Sequence, residues 1–363
     1  MTTQNRRVEE IDFGRGLAVF LMMLVHTLWM YADQHTQGET WFGDVIHFIG
    51  KGTPAFLLTM GMSFILTKNQ SLKSALIKGA MILAFAYVMN FLKFVVPIKV
   101  FGTMPESFVA AYGFSSPISF GEMRYIFLTG DILQMAGISF MAIGVIRYFT
   151  QNKWIYLAIA IFIAGISKEL SGFQLGIDGV DYILKLFFSS HYQVYFPVFP
   201  WMSFIVFGMF MGKLIEENLE DIRIFFNKLP KMAAVTLIPG IALCYWQFDY
   251  HFDNFFHLGF GGFLYLLGIN LILFLIIHKI VQSNSQNFFV RFLYFCSERV
   301  TSMYIIQWVL ICWGMGIIGF QTMNVWQTAM LMPIVVVLTV LIQLAKDKLF
   351  EQLSNHRLKA ATS

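Results

Sequence analysis

The residues best equipped for chemistry sit in the first apolar stretch, which reads Asp12-Phe-Gly-Arg15-Gly, then nine apolar residues, then His26. On a helix, eleven residues span about 16 Å, and their angular offset is only about 20° beyond three turns. Arg15 and His26 therefore share one stripe, and Asp12 at i−3 can orient the guanidinium. A guanidinium at one end suits an anionic cofactor. An imidazole deeper in can take or give a proton near neutrality. The alternative reading makes Arg15 an anchor at the basic face of a membrane and His26 a hydrogen-bonding group of a helix bundle.

Further polar groups interrupt apolar stretches along the chain. Asp33, His35, Asp44 and His47 lie in a segment without lysine or arginine, and Asp249, His251, Asp253 and His257 form a second such set. These could converge on one outward-facing pocket, but their spacings fit no metal-site pattern, so no metal is expected. Arg124, Asp131 and Gln134 recur at helical spacing on one face. Pro197 and Pro200 precede Trp201 and break a helix locally. Glu298, Arg299, Ser302, Tyr304 and Gln307 follow near the end, and Gly259, Gly261, Gly262, Asn270 and His278 come between. An ionisable group at mid-span costs roughly 2.5–3.5 kcal/mol on insertion scales. Polar groups in at least five spans thus point to a shared internal site.

The elements that must position these groups follow from composition. Of 363 residues, 57% are hydrophobic and 13% charged, against about 25% charged in a soluble domain. The bilayer must be the solvent for much of the surface. A spanning helix needs about 20 apolar residues. Candidates fall at 13–32, 45–66, 74–97, 125–147, 154–167, 197–215, 233–249, 257–280, 300–320 and 325–345. Residues 98–123 and 168–196 are too long and mixed for simple turns and predict short interfacial or re-entrant elements. The expected fold is all-α: a polytopic transmembrane bundle of about ten spans forming a single domain over 1–363. Glu9, Glu10, Asp12 and Arg15 break up the N-terminal run, so it reads as an uncleaved first span rather than a signal peptide.

Ten spans put both termini on one side. With that side cytoplasmic, only Lys51, Lys93, Lys99, Arg124, Lys168 and Lys185 of the 25 Lys and Arg fall outside, as the positive-inside rule requires. The inner set begins with Arg6, Arg7 and Lys68. The expected location is a cell inner membrane. A net charge of +4 implies no nucleic-acid partner. Cys244, Cys296 and Cys312 lie in apolar stretches and read as small buried residues.

These motifs together resemble a family. Asp12-Phe-Gly-Arg-Gly-Leu-Ala, Gly52-Thr-Pro-Ala-Phe-Leu-Leu-Thr-Met-Gly61, Gly130-Asp-Ile-Leu-Gln134, Phe199-Pro-Trp-Met with Gly208 and Gly212, and Arg299-Val-Thr-Ser-Met-Tyr304 occur in family order. The chain resembles bacterial relatives of heparan-alpha-glucosaminide N-acetyltransferase, in the transmembrane acyltransferase superfamily. Arg15 and His26 also match the Arg-x10-His pattern of related membrane O-acyltransferases. In the lysosomal branch the position of His26 is asparagine and the key histidine falls at Gln37, two places after His35. The last motif often continues to a histidine where this chain has Gln307.

The resemblance implies transfer of an acyl group, with acetyl favoured, from cytoplasmic acyl-CoA as co-substrate to a sugar amine or hydroxyl on the outer side. It implies His26 as base or acyl-accepting group, with His35 as second candidate and Asp131 beside them. Arg15, Asp12 and Arg299 would serve the CoA side, and Gln134, Asp44 and Trp201 the acceptor. The partners would be the lipid bilayer and a glycan or small-molecule acceptor. Oligomeric state is open, a homodimer being one option. The competing reading is a transporter of a small polar or anionic substrate using intramembrane Arg, His and Asp, although no inverted repeat of the transporter kind is visible.

Overall fold

The computed structural model describes residues 8–67, 70–284 and 287–362, with backbone alone beyond Asn355. Arg6, Arg7 and Lys68 lie outside the described residues. The helices, in chain order, are α1 (Glu9–Tyr31), α2 (Gln34–Gly38), α3 (Trp41–Gly50), α4 (Thr53–Leu66) and α5 (Leu72–Asn90). A π-helix, Phe91–Val100, continues α5. Next come α6 (Glu106–Ala111), α7 (Phe120–Phe127), α8 (Ile132–Phe149), α9 (Lys153–Leu170), α10 (Val180–Phe188) and α11 (Val198–Glu216). The rest are α12 (Arg223–Phe226), α13 (Leu229–Trp246), α14 (Phe248–His251), α15 (Phe260–Asn284), α16 (Phe288–Glu298), α17 (Val300–Ile318) and α18 (Val325–Thr362). Strand-like pairing among the described residues is confined to two bridges, Ala32 with Met323 and Gly130 with Val194.

This is an all-α polytopic bundle. Nine helical stretches among the described residues are long and apolar enough to cross a membrane, where the sequence predicts about ten. The difference is α9, which occupies the fifth expected span but carries Lys153, Lys168 and Glu169 within its 18 residues. The segments expected to hold short elements do so, as α6 and α7 and as α10.

The chain forms two compact units, each assembled from separate segments of the sequence. The first comprises residues up to Ala18, Lys51–Asn90 and Ser119–Ser297. Its centre is α11, buried over nearly its whole length and packed against α4, α8 and α9. Small residues let α4 and α11 approach backbone to backbone. A Cβ on Gly61 would overlap the Ile205 carbonyl, and one on Gly208 would overlap the Leu58 carbonyl. The pairs α5/α8 and α13/α15 complete this unit.

The expected span 125–147 is two helices, and the break has a local cause. Asp131, in extended conformation, accepts the Ile132 N–H at 2.7 Å. Gln134 accepts the Asp131 N–H at 3.0 Å and donates to the Thr129 carbonyl at 3.2 Å. This reciprocal cap satisfies donors that the first turn of α8 leaves orphaned. Losing such a cap costs about 1 kcal/mol. Asp131→Ala is accordingly expected to lower the melting temperature of detergent-solubilised protein by a few degrees; an unchanged melting curve would remove the capping role.

The second unit comprises Val19–Gly50, Phe91–Ile118 and the chain from Glu298 onward. It holds most of α1, α2, α3, the π-helix, α6, α17 and α18. Val25, Leu28, Ala32, Ile46 and Met332 form one of its buried apolar clusters.

Candidate active site

The second unit places His26. The C-terminal end of α1 is stitched to the α17–α18 connection. Gln321 and Met323 N–H groups donate to the Met30 and Tyr31 carbonyls at 3.0 and 2.8 Å, and the Asp33 N–H donates to the Met323 carbonyl at 2.8 Å. The Tyr31 hydroxyl donates to the Ile311 carbonyl at 2.8 Å, in space that a Cβ on Gly314 would fill. His26 thereby faces α17 with its ring 6% exposed. It stacks on Trp308 at 4.1 Å between centroids and 28° between planes. Tyr304 meets it edge-on at 5.8 Å, and Trp29 lies at the same distance.

The π-helix brings a cation to the same indole. Trp313 donates its Nε1–H to the Leu92 carbonyl at 2.8 Å, fixing the backbone beside Lys93. The Lys93 ammonium, in a residue 3% exposed, sits 4.6 Å from the Trp308 centroid and 4.7 Å from that of Phe94. Gln307 precedes Trp308 and is wholly buried. Among the described residues, neither amide atom of Gln307 nor the Trp308 Nε1 has a hydrogen-bond partner. Each buried polar group left so costs roughly 1–3 kcal/mol. The cluster thus combines a proton-exchanging ring, a positive charge and unsatisfied donors, which can handle a substrate whose charge changes during reaction.

The other candidates have local partners. In the first unit, Arg15 donates to Asp12 at 2.7 Å and to the Ser297 hydroxyl at 2.9 Å, and Ser297 donates to Asp12 at 3.1 Å. The Asp12 and Arg15 pairing expected from spacing is present. Nearby on α1, Glu10 pairs with His278 at 2.8 Å. Asp131 and Gln134 come together, as the α8 cap. Trp201 is fully buried and donates its Nε1–H to the Phe256 carbonyl at 2.7 Å. In the second unit, Arg299 donates to Asp347 at 2.6 Å and to Glu298 at 3.2 Å. His35 lies on α2, its side chain 71% exposed and paired with Glu39 at 2.9 Å, while Asp44 is exposed on α3. The structure thus separates the two candidate histidines by environment. No group of three His, Cys, Asp or Glu among the described residues is arranged to hold a metal ion.

Sequence reasoning missed Lys93, Trp29 and Trp308. For Lys93 a signal existed, since it interrupts the apolar run Phe91-Leu-Lys93-Phe-Val-Val inside an expected span. Counting it only as an outer-side charge hid it.

The first unit carries a pH-sensitive group outside the spans. Between α14 and α15, His257 is 6% exposed, and its Nε2 faces the Val194 carbonyl at 3.2 Å, so that nitrogen must carry the hydrogen. Burial, reinforced by Lys168 and His191, pushes its pKa down to about 4. The folded protein then binds fewer protons than the unfolded chain between about pH 4 and 6.5, so stability is full above that window and falls as pH drops through it. The expected loss across the window is roughly 3 kcal/mol. Melting curves from pH 7 to pH 4 should show it, and His257→Gln should make the decline shallower; equal slopes would refute the assignment.

A bundle of long apolar helices with this buried polar cluster defines a multi-pass membrane protein with an internal site. Residues 7–250 match the family model described as "Heparan-alpha-glucosaminide N-acetyltransferase, catalytic". The chain belongs to that family, one of membrane acetyltransferases, as its motifs lead one to expect. No curated protein matches the chain. The matched stretch includes Arg15, His26 and Lys93, and the α17 side of the cluster follows it.

Proposed function

We propose that this protein transfers an acyl group, acetyl in the favoured case, from cytoplasmic acyl-CoA to an amine or hydroxyl of a sugar on the outer side of the membrane. The observation that carries the reading is the buried His26 imidazole, stacked on Trp308 beside Tyr304 in a membrane helix. In this reading His26 removes the proton from the acceptor nucleophile. The nucleophile's lone pair forms a bond to the thioester carbon, and the carbonyl pair moves onto oxygen. Collapse restores the carbonyl and breaks the C–S bond, and the proton held by His26 neutralises the departing thiolate. The products are the acylated sugar and CoA thiol. Arg15, oriented by Asp12, serves the phosphates of CoA. The charge distribution of the sequence supports an orientation with the N-terminus inside.

The test uses purified full-length protein in lipid nanodiscs with radiolabelled acetyl-CoA and glucosamine. Binding of acetyl-CoA by calorimetry, with label transferred to the sugar or released by hydrolysis, is the expected result. Absence of any CoA binding would sink the proposal and favour the transporter reading.

A further inference from the structure

The acyl-transfer reading gives His26 a role but leaves Lys93 and Gln307 without one. Lysine is a costly choice for this position. Its ammonium must be desolvated within an apolar stretch, in a residue only 3% exposed, whereas leucine or methionine could pack against Phe94 and Trp308 without that cost. The cation–π contacts with Phe94 and Trp308 offset only part of it. Gln307 is a second anomaly, with a donor and an acceptor buried together and unpartnered among the described residues. The Lys93 ammonium lies 4.6 Å from the centre of Trp308, the ring on which His26 stacks, and Gln307 precedes Trp308 on α17. A proton acceptor and an N–H donor therefore meet one indole in a low-dielectric setting, with a second buried donor one residue away on the same helix. That is the complement an acyl transfer needs, because negative charge develops on the thioester oxygen as the nucleophile attacks, and buried donors aimed at such charge act most strongly in the transition state.

We infer that Lys93 and Gln307 are catalytic residues that donate hydrogen bonds to the thioester oxygen as it becomes an oxyanion. The inference rests on the acyl-transfer reading. No proton leaves either donor: the carbonyl pair moves onto oxygen during attack and returns when the C–S bond breaks, so both groups end as they began. Because they favour the transition state over the bound thioester, they act on kcat rather than on binding.

The experiment follows CoA thiol release from acetyl-CoA in nanodiscs, with glucosamine as acceptor. Lys93→Met is expected to lower kcat by about 10²-fold or more, with the acetyl-CoA KM and its calorimetric Kd changed by no more than about twofold. Lys93→Arg, which keeps a charged donor, is expected to recover part of that loss. Gln307→Leu is expected to lower kcat by about tenfold in the same pattern, and it carries the test if Lys93→Met elutes as aggregate. Unchanged kcat in both neutral variants would overturn the inference while leaving the acyl-transfer reading in place. So would a rise in the glucosamine KM with kcat intact, which would make these residues acceptor-binding groups. Wild-type protein that binds no acetyl-CoA would overturn both.

Discussion

His26→Ala is expected to lower acetyl transfer by about 10³-fold while the protein stays folded. A positioned general base contributes roughly 10²–10⁴-fold, and burial leaves bulk water poorly placed to replace this one. The variant removes a ring that stacks on Trp308 at 4.1 Å but makes no backbone change to α1, whose end is held by Tyr31, Met323 and Asp33. Gel filtration and calorimetric acetyl-CoA binding should therefore match wild type. The residual rate should also lose the pH dependence attributable to an imidazole. If His26→Ala kept its rate and His35→Ala did not, the roles of the two histidines would be reversed.

The second large effect concerns the fold. Gly61 and Gly208 bring the α4 and α11 backbones together so closely that either Cβ would meet a carbonyl of the other helix, and Gly212 lies against Met62 and Ile65. Backbone cannot repack around an added side chain as a flexible neighbour can. Overpacking against side chains costs about 1–3 kcal/mol, and a clash with main chain on a buried helix should exceed it. Gly208→Leu is expected to abolish the monodisperse peak on gel filtration or to lower the melting temperature by more than about 10 °C, with Gly208→Ala intermediate. A Gly208→Leu protein melting like wild type would show that the two helices can separate freely.

Much of this architecture was legible because a bilayer imposes a simple rule on composition. Nine long apolar stretches survive as helices, and the departure, α9, is explained by three charges that can be read directly at Lys153, Lys168 and Glu169. The interruption between α7 and α8 was also written in the sequence. Thr129-Gly-Asp131 followed three residues later by Gln134 is a helix start, although polarity alone suggested a ligand-facing pair. The pairing of Asp12 with Arg15 followed from i,i+3 spacing.

The cluster around His26 was less accessible. Lys93, His26 and Trp308 come from three distant parts of the chain, and one of those parts is π-helical, where the 3.6-residue period used to assign faces does not hold. Aromatic residues compounded the difficulty. With 40 Phe and 8 Trp, nothing in their spacing distinguishes the indole that stacks on an imidazole from those that merely fill space.

The length of α18 has a practical use. At 1.5 Å per residue, its 38 residues extend about 57 Å, against about 30 Å of hydrocarbon in a bilayer. The turns around Lys346, Asp347, Lys348 and Glu351 fall in its polar continuation. Such a helix is a stiff mast rather than a tether. A fluorophore attached near Asn355 would stand clear of the headgroups at a defined height. Its energy transfer to acceptor dyes confined to one leaflet of a vesicle would read out directly which side of the membrane that mast rises from.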